Sequence, residues 1–203
     1  MYFDIGSNVG MWSLANIQYC DKIIAVEASP KTFGILSNNC RGKNIFPLNY
    51  AVCNKEKGSE VSFYEANSHT LSTINKDWLV SEKSRFFNQP YKEITCKTIK
   101  LDDLIAEYGL PDLIKIDVEG GEYECVSSLT TRPDMLCFEW ASETNNITFK
   151  CLEYLVGLGF TQFYLQFKDA YTFRPAEFFG VEIIKEKLQK TIPKKDWGML
   201  WCK

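Results

Sequence analysis

The chain has 203 residues, a length suited to one domain with a sizeable core. Apolar residues make up 45% and charged residues 24%, an ordinary soluble balance, and no membrane-length apolar run or signal-peptide pattern occurs. A net charge of −3 and a pI near 5.4 argue against an electrostatic footprint for nucleic acid.

Tyr2-Phe3-Asp4-Ile5 reads as an apolar strand that carries an acid into a turn with two glycines four apart, Gly6 and Gly10. Met11, Leu14 and Ala15 follow at helical spacing. Such an opening sets backbone N–H groups and a helix N-terminus beside a ligand, and the missing Cβ lets the main chain approach it. The pattern is D-x-G-x-x-x-G, without the G-x-G-x-x-G of a pyrophosphate clamp. A carboxylate at this strand end suits a ligand with positive charge and hydroxyls. S-adenosylmethionine, with its ammonium, sulfonium and ribose, is such a ligand.

Lys22 to Glu27 reads as a second buried parallel strand ending in an acid. In doubly wound sheets an acid there binds both ribose hydroxyls. Ser29-Pro30 supplies a cap and a first-turn proline for a helix whose apolar stripe is Phe33, Leu36 and Cys40. The plainer alternative is a crossover in which Asp4 and Glu27 only cap helices. A third strand is expected over 45–52, and a short extra one over Glu60 to Glu65. Residues 66–93 are polar and irregular around His69, the profile of a lid or binding loop. Residues 94–101 alternate like an edge strand.

Asp102-Asp103 opens a short helix stopped by Gly109 and Pro111. Asp112 to Val118 is the next buried strand, and Met135 to Trp140 a fifth, with Glu139 near its end. Helices are expected from Tyr123 and around Phe149–Val156. Two strand-like stretches, 160–167 and 179–184, precede a lysine-rich connector, and Trp197 to Cys202 closes as a last strand. The expected fold class is α/β: a doubly wound, mostly parallel seven-stranded sheet with an antiparallel C-terminal strand. The eight cysteines are scattered with no C-x-x-C pair, so they read as reduced core thiols of a cytoplasmic protein rather than a zinc site.

Lys115-Ile116-Asp117-Val118-Glu119-Gly120-Gly121-Glu122 places three carboxylates within six residues at a strand end facing the crevice of Asp4 and Glu27. Such acids repel one another without a function or a cation. Asp117 is placed to reach a reacting methyl or an acceptor hydroxyl, while Glu122 reads equally well as a first-turn acid of the next helix. An N/D-P-P-Y strand end, typical of methyl transfer to exocyclic amines, is missing. Acids suit a hydroxyl instead, whose weak acidity calls for a base or a metal.

Asp4-Ile5-Gly6-Ser7-Asn8-Val9-Gly10, Val26-Glu27-Ala28-Ser29-Pro30, Leu101-Asp102-Asp103-Leu104 and Ile114 to Glu122 together resemble the FkbM family of methyltransferases over nearly the whole chain. The resemblance implies a class I S-adenosylmethionine-dependent, Rossmann-like fold and O-methylation, commonly of a sugar or glycan hydroxyl. It implies a glycosyltransferase as fused or cooperating partner. Members usually carry proline where Ala28 stands, a departure that leaves Glu27 intact. Carried over, Asp4, Gly6, Asn8 and Gly10 hold the methionine end, Glu27 and Ala28 the ribose, and the Ala51–Asn54 loop flanks the adenine. Asp117 and Glu119 face the sulfonium and acceptor. Metal-dependent sugar methyltransferases place carboxylates at the ends of the fourth and fifth strands, and Asp117 and Glu139 match that layout for Mg²⁺ or Mn²⁺.

His69 is the best neutral base in the chain, against the alternative of an inconsequential loop histidine. Tyr171 and Phe173, near Lys168, Asp169 and Arg174, are candidates for a sugar platform amid aromatics that otherwise read as core. Because family members carry residues before the first strand, the start at residue 2 reads as a domain cut from a longer polypeptide, with a minimal single-domain enzyme as the alternative. Rival functions are a metal-dependent small-molecule O-methyltransferase acting on a catechol-like or lipid acceptor, an NAD-binding reductase, and a catalytically silent domain. The glycine spacing and the lack of a Tyr-x-x-x-Lys pair speak against the reductase.

Overall fold

A computed structural model describes residues 1–203. The first half runs β1 (Tyr2–Ile5), α1 (Met11–Asn16), β2 (Ile23–Val26), α2 (Pro30–Asn39), β3 (Ile45–Leu48), β4 (Ala51–Val52), β5 (Glu60–Ala66), α3 (Asp77–Val80) and β6 (Tyr91–Ile99). The second runs α4 (Leu101–Tyr108), β7 (Leu113–Ile116), α5 (Glu122–Val126), β8 (Met135–Ala141), α6 (Asn145–Gly157), β9 (Phe163–Phe167), α7 (Val181–Gln189) and β10 (Trp197–Cys202).

Seven strands form one sheet in the order β3-β2-β1-β7-β8-β10-β9. Every neighbouring pair is parallel except those made by β10, which runs antiparallel to both β8 and β9. The chain reverses its direction of strand addition between β1 and β7, and such a switch point leaves a crevice outside the strand ends. Register lines that crevice with chemistry. Ile5 pairs with Val26 and with Ile116, and Ile116 pairs with Phe138. The residues that follow, Gly6, Glu27, Asp117 and Glu139, therefore stand in a row along one edge.

Both sheet faces are covered. Phe3, Ile5, Ile114, Ile116, Leu136 and Phe138 point into the larger core, beneath α5 and α6. Ile23, Ala25, Leu113 and Cys137 point into the smaller one, which Trp12 and Leu36 close from α1 and α2. Asp4 and Lys115 share that second face and are register partners. Full burial on both faces explains why β1, β2, β7 and β8 read as apolar runs. All eight cysteines are free thiols and seven are buried. No helix is long and apolar enough to cross a membrane.

Three expectations need correction. The stretch 45–52 splits: β3 stays in the main sheet, whereas β4 joins a separate three-stranded sheet, β4-β6-β5. Asn49 makes the break, its side-chain amide donating to Glu27 O at 2.8 Å and to Ala28 O at 2.9 Å. The edge strand expected over 94–101 is β6, the central strand of that small sheet. Residues 179–184 lead into helix α7, because Ile184 and Leu188, four apart, are the positions that bury. The irregular stretch 66–93 holds a short turn of 3₁₀ helix over His69–Leu71 and α3, whose Trp78 and Leu79 are buried.

Gly6 fixes the approach of β1 to β7. Its φ is +72°, and a Cβ built on it would lie 1.8 Å from Asp117 O. Gly6→Ala is expected to destabilise the fold by about 3 kcal/mol or more, through left-handed strain and a backbone clash that no side-chain rotation relieves. A thermal melt within a degree or two of the wild type would contradict this.

Candidate active site

A cavity of about 330 Å³ opens along the row of strand ends, within the size range of small-molecule sites. At one end the Gly6–Gly10 turn is tied to β2: Gly6 N–H and Ser7 N–H both donate to Val26 O at 2.9 Å. Asn8 takes a left-handed φ of 52°. That conformation turns its N–H to Glu27 Oε2 at 3.0 Å, while Ser29 N–H donates to Glu27 Oε1 at 2.9 Å. Each oxygen of the Glu27 carboxylate thus keeps a free lone pair, and two vicinal hydroxyls can use them. Burial pushes the Glu27 carboxyl up to about 7, against the two backbone donors that lower it. Asn8 Oδ1 is a buried acceptor without a partner, a fit for the ammonium of an amino acid moiety.

Beside Glu27 the wall becomes apolar: Ala28, Ala51, Val52, Phe63 and Ile74 form a slot suited to a flat base. Phe63 and Ala51 come from the small sheet, and this is why the sheet matters to the site.

The other end is acidic. Lys115, 5% exposed in its side chain, places its ammonium 3.2 Å from Asp4 Oδ1, 3.4 Å from Asp117 Oδ2 and 3.2 Å from Gly6 O. Ligand oxygens of Asp117, Glu119 and Glu139 all lie within 4.8 Å of one another. Burial, then the neighbouring carboxylates, raises Glu119 and Glu139 well above the usual carboxyl range. Burial also lifts Glu122 to about 7, although it accepts N–H bonds from Val118 and Gly120. Asp169 is raised by burial and by Asp117. His69 reaches the cavity from an exposed turn, and Tyr171 lines it from the opposite loop.

The cavity wall thus brings together Gly6, Asn8, Glu27, Ala28, Ala51, His69, Asp117, Glu119 and Glu139. Two residues expected to touch the cofactor stand behind it. Asp4 is fully buried, accepting from Ser13 Oγ at 2.6 Å and facing Lys115, so it supports the wall rather than forming it. Gly10, with φ +89°, caps α1, and a Cβ built on it would lie 2.8 Å from Leu36 Cδ1. Phe173 does not line the cavity; half-buried, it stacks on Tyr164 at 5.7 Å against the second core. Lys115 carries a sequence signal of its own: a lysine inside an otherwise apolar strand is buried only with a charge partner. Trp78 and Phe63 carried none.

Residues 4–163 match the family model described as the methyltransferase FkbM domain. Among solved structures, the precorrin-6y C5,15-methyltransferase of Geobacter metallireducens aligns with a TM-score of 0.52 at 11% identity, covering 100% of this chain and 78% of that one. The fibrillarin pre-rRNA processing protein of Methanococcus jannaschii aligns with a TM-score of 0.50 at 12% identity, covering 99% of this chain and 64% of that one. At such identities the two likenesses speak for the fold. A comparison with curated proteins gives no match. The family match spans the glycine turn, Glu27 and the acidic turn, and so the chain belongs to the FkbM family of S-adenosylmethionine-dependent methyltransferases.

Proposed function

We propose that the chain methylates a hydroxyl of a sugar or glycan, with the glycine turn and Glu27 holding S-adenosylmethionine and the acidic end receiving the acceptor. The observation that carries this reading is the convergence of Asp117, Glu119 and Glu139 beside the cavity. When bound, S-adenosylmethionine supplies the methyl electrophile. Asn8 Oδ1 would hold its ammonium, Glu27 the two ribose hydroxyls, and the slot between Ala28 and Phe63 the adenine. A carboxylate at the acidic end would take the proton of the acceptor hydroxyl. Glu119 and Glu139, which burial and the neighbouring carboxylates raise above the usual carboxyl range, are in their ionised form stronger proton acceptors than an exposed carboxylate, with His69 as an alternative at the mouth.

The charge balance also narrows the acceptor. The wall presents five acidic side chains, Glu27, Asp117, Glu119, Glu139 and Asp169, and the single ammonium of Lys115, already paired with Asp4 and Asp117. Burial shifts Glu27, Glu119, Glu139 and Asp169 towards their neutral forms, so the field is weaker than five charges, but an anionic acceptor still finds no free cation, whereas a neutral polyhydroxyl acceptor needs none. In an assay of labelled methyl transfer, neutral glycosides are expected to exceed their uronate counterparts by about tenfold or more, consistent with one uncompensated buried charge. Equal or faster transfer to the uronates would overturn this acceptor class.

A second reading has its own support. Three carboxylate oxygens within 4.8 Å of one another are the donors a hard divalent cation takes, so Mg²⁺ or Mn²⁺ held by Asp117 and Glu139 could orient a catechol-like or sugar acceptor. EDTA decides between the two: transfer that survives chelation belongs to the carboxylates alone.

A further inference from the structure

We propose that Trp78 is a positioning residue whose indole N–H fixes the Glu119 carboxylate at the acceptor end of the cavity. The inference rests on the reading above that Glu119 faces the acceptor. Glu119 and Gly120 have φ values of 57° and 86°, and no helix or strand ladder holds their turn. Glu122 Oε1 ties it from within, accepting from Val118 N–H and Gly120 N–H, and one short segment of the chain holds it from outside. Thr73 Oγ1 donates to Glu119 O at 2.7 Å, Asn75 Nδ2 to Gly120 O at 2.9 Å, and Trp78 Nε1 to Glu119 Oε2 at 2.8 Å. The first two bonds place backbone. Only the third reaches the carboxylate, so the place of the turn and the aim of its side chain are set separately.

The indole is well suited to this. Its N–H is a donor only, carried on a rigid ring that is 3% exposed. Phe86 packs edge-on at 5.2 Å, and Ser84 Oγ donates to Trp78 O at 2.6 Å. Gly120 backs onto the ring and onto Asn75, since a Cβ there would lie in ordinary contact with Trp78 at 3.5 Å and press on Asn75 Nδ2 at 3.2 Å. Further along, Arg85 makes a two-point bond to Glu143 at 2.5 and 2.6 Å and a third to Asp196 O at 3.0 Å. The segment is therefore anchored on both sides of Trp78. Freed of the indole, the Glu119 side chain regains its rotamers and leaves Asp117 and Glu139. Misplacement on that scale costs roughly 10- to 100-fold in rate.

Site-specific incorporation of β-(3-benzothienyl)alanine at position 78 tests this, because sulfur replaces N–H while ring shape stays. The modified protein is expected to lose roughly 10- to 100-fold in turnover on the best glycoside, with the KM for S-adenosylmethionine within about twofold and the melting midpoint nearly unchanged. Unaltered turnover overturns the proposal. A second readout needs no acceptor: the indole N–H resonance of Trp78, assigned by its disappearance on that replacement, should move upfield in Glu119→Ala. A resonance indifferent to Glu119 overturns the proposal even if no glycoside is methylated, an outcome that by itself removes only the proposed acceptor.

Discussion

Glu27→Ala is expected to weaken binding of S-adenosylhomocysteine by about 100-fold or more, measured by calorimetric titration. Two charge-assisted hydrogen bonds to the ribose are lost, each worth roughly 1.5–3 kcal/mol, against 1.4 kcal/mol per tenfold in affinity. The Asn8 and Ser29 amides also lose their acceptor, which loosens the glycine turn. Glu27→Gln keeps one acceptor oxygen and should lie between. The pH dependence follows from burial, which raises the carboxyl from 4.5 to about 7 in the free protein. Ribose hydroxyls donate to the ionised form and stabilise it, so binding lowers this value and releases a proton. Affinity should therefore fall as pH drops below about 7, and heats measured in buffers of different ionisation enthalpy should report proton release near neutrality. For stability of the free protein the sign is opposite. The folded value lies above the unfolded one, so the contribution is present at low pH and is lost as pH rises from 4.5 through 7, roughly 3 kcal/mol in full. Affinity that is indifferent to Glu27→Ala would remove the ribose assignment.

What could be read from the sequence and what could not divide along a physical line. The strands β1, β2, β7 and β8 are buried on both faces, so their apolar runs and terminal acids were visible without partners, and the switch-point crevice followed from their order. The left-handed turn at Gly6 was visible because only glycine tolerates it against Asp117 O. Lys115 signals a buried charge pair, but its partner was not legible, because the pairing with Asp4 lies in strand register, more than a hundred residues away. Trp78 was hidden more deeply: it sits in a polar stretch without period, and its partner Glu119 is 41 residues on. The place of Phe173 was not legible because an aromatic beside polar residues looks the same whether it faces solvent or Trp201. The stretch leading into α7 was ambiguous because a short apolar run such as Ile183-Ile184 fits either period. Asn49 ended β3 through side-chain bonds to a neighbouring strand, which no local pattern announces.

Asp117→Asn probes the chemistry with least disturbance to the fold. The substitution keeps an acceptor oxygen towards Lys115 and removes one negative charge from a site where a single ammonium serves both Asp4 and Asp117. Lys115 then retains Asp4 as a one-to-one partner, so the buried cation is not stranded and the melting midpoint should stay near that of the wild type. The cofactor contacts assigned to Asn8, Glu27 and the Ala28–Phe63 slot are untouched, and S-adenosylhomocysteine affinity should change by no more than a few-fold. Turnover is another matter, because the side chain at the end of β7 is the link between the row of strand ends and the Glu119–Glu139 pair. Loss of a carboxylate that takes or guides the hydroxyl proton typically costs 10²–10⁴-fold, and about 10³-fold is expected here. Glu139→Gln separates the two mechanisms. If the carboxylates act directly, its effect is insensitive to added Mg²⁺ or Mn²⁺; if they hold a cation, excess metal restores part of the rate in either variant. An Asp117→Asn enzyme that turns over like the wild type would remove Asp117 from the mechanism and leave proton transfer to Glu119, Glu139 or His69.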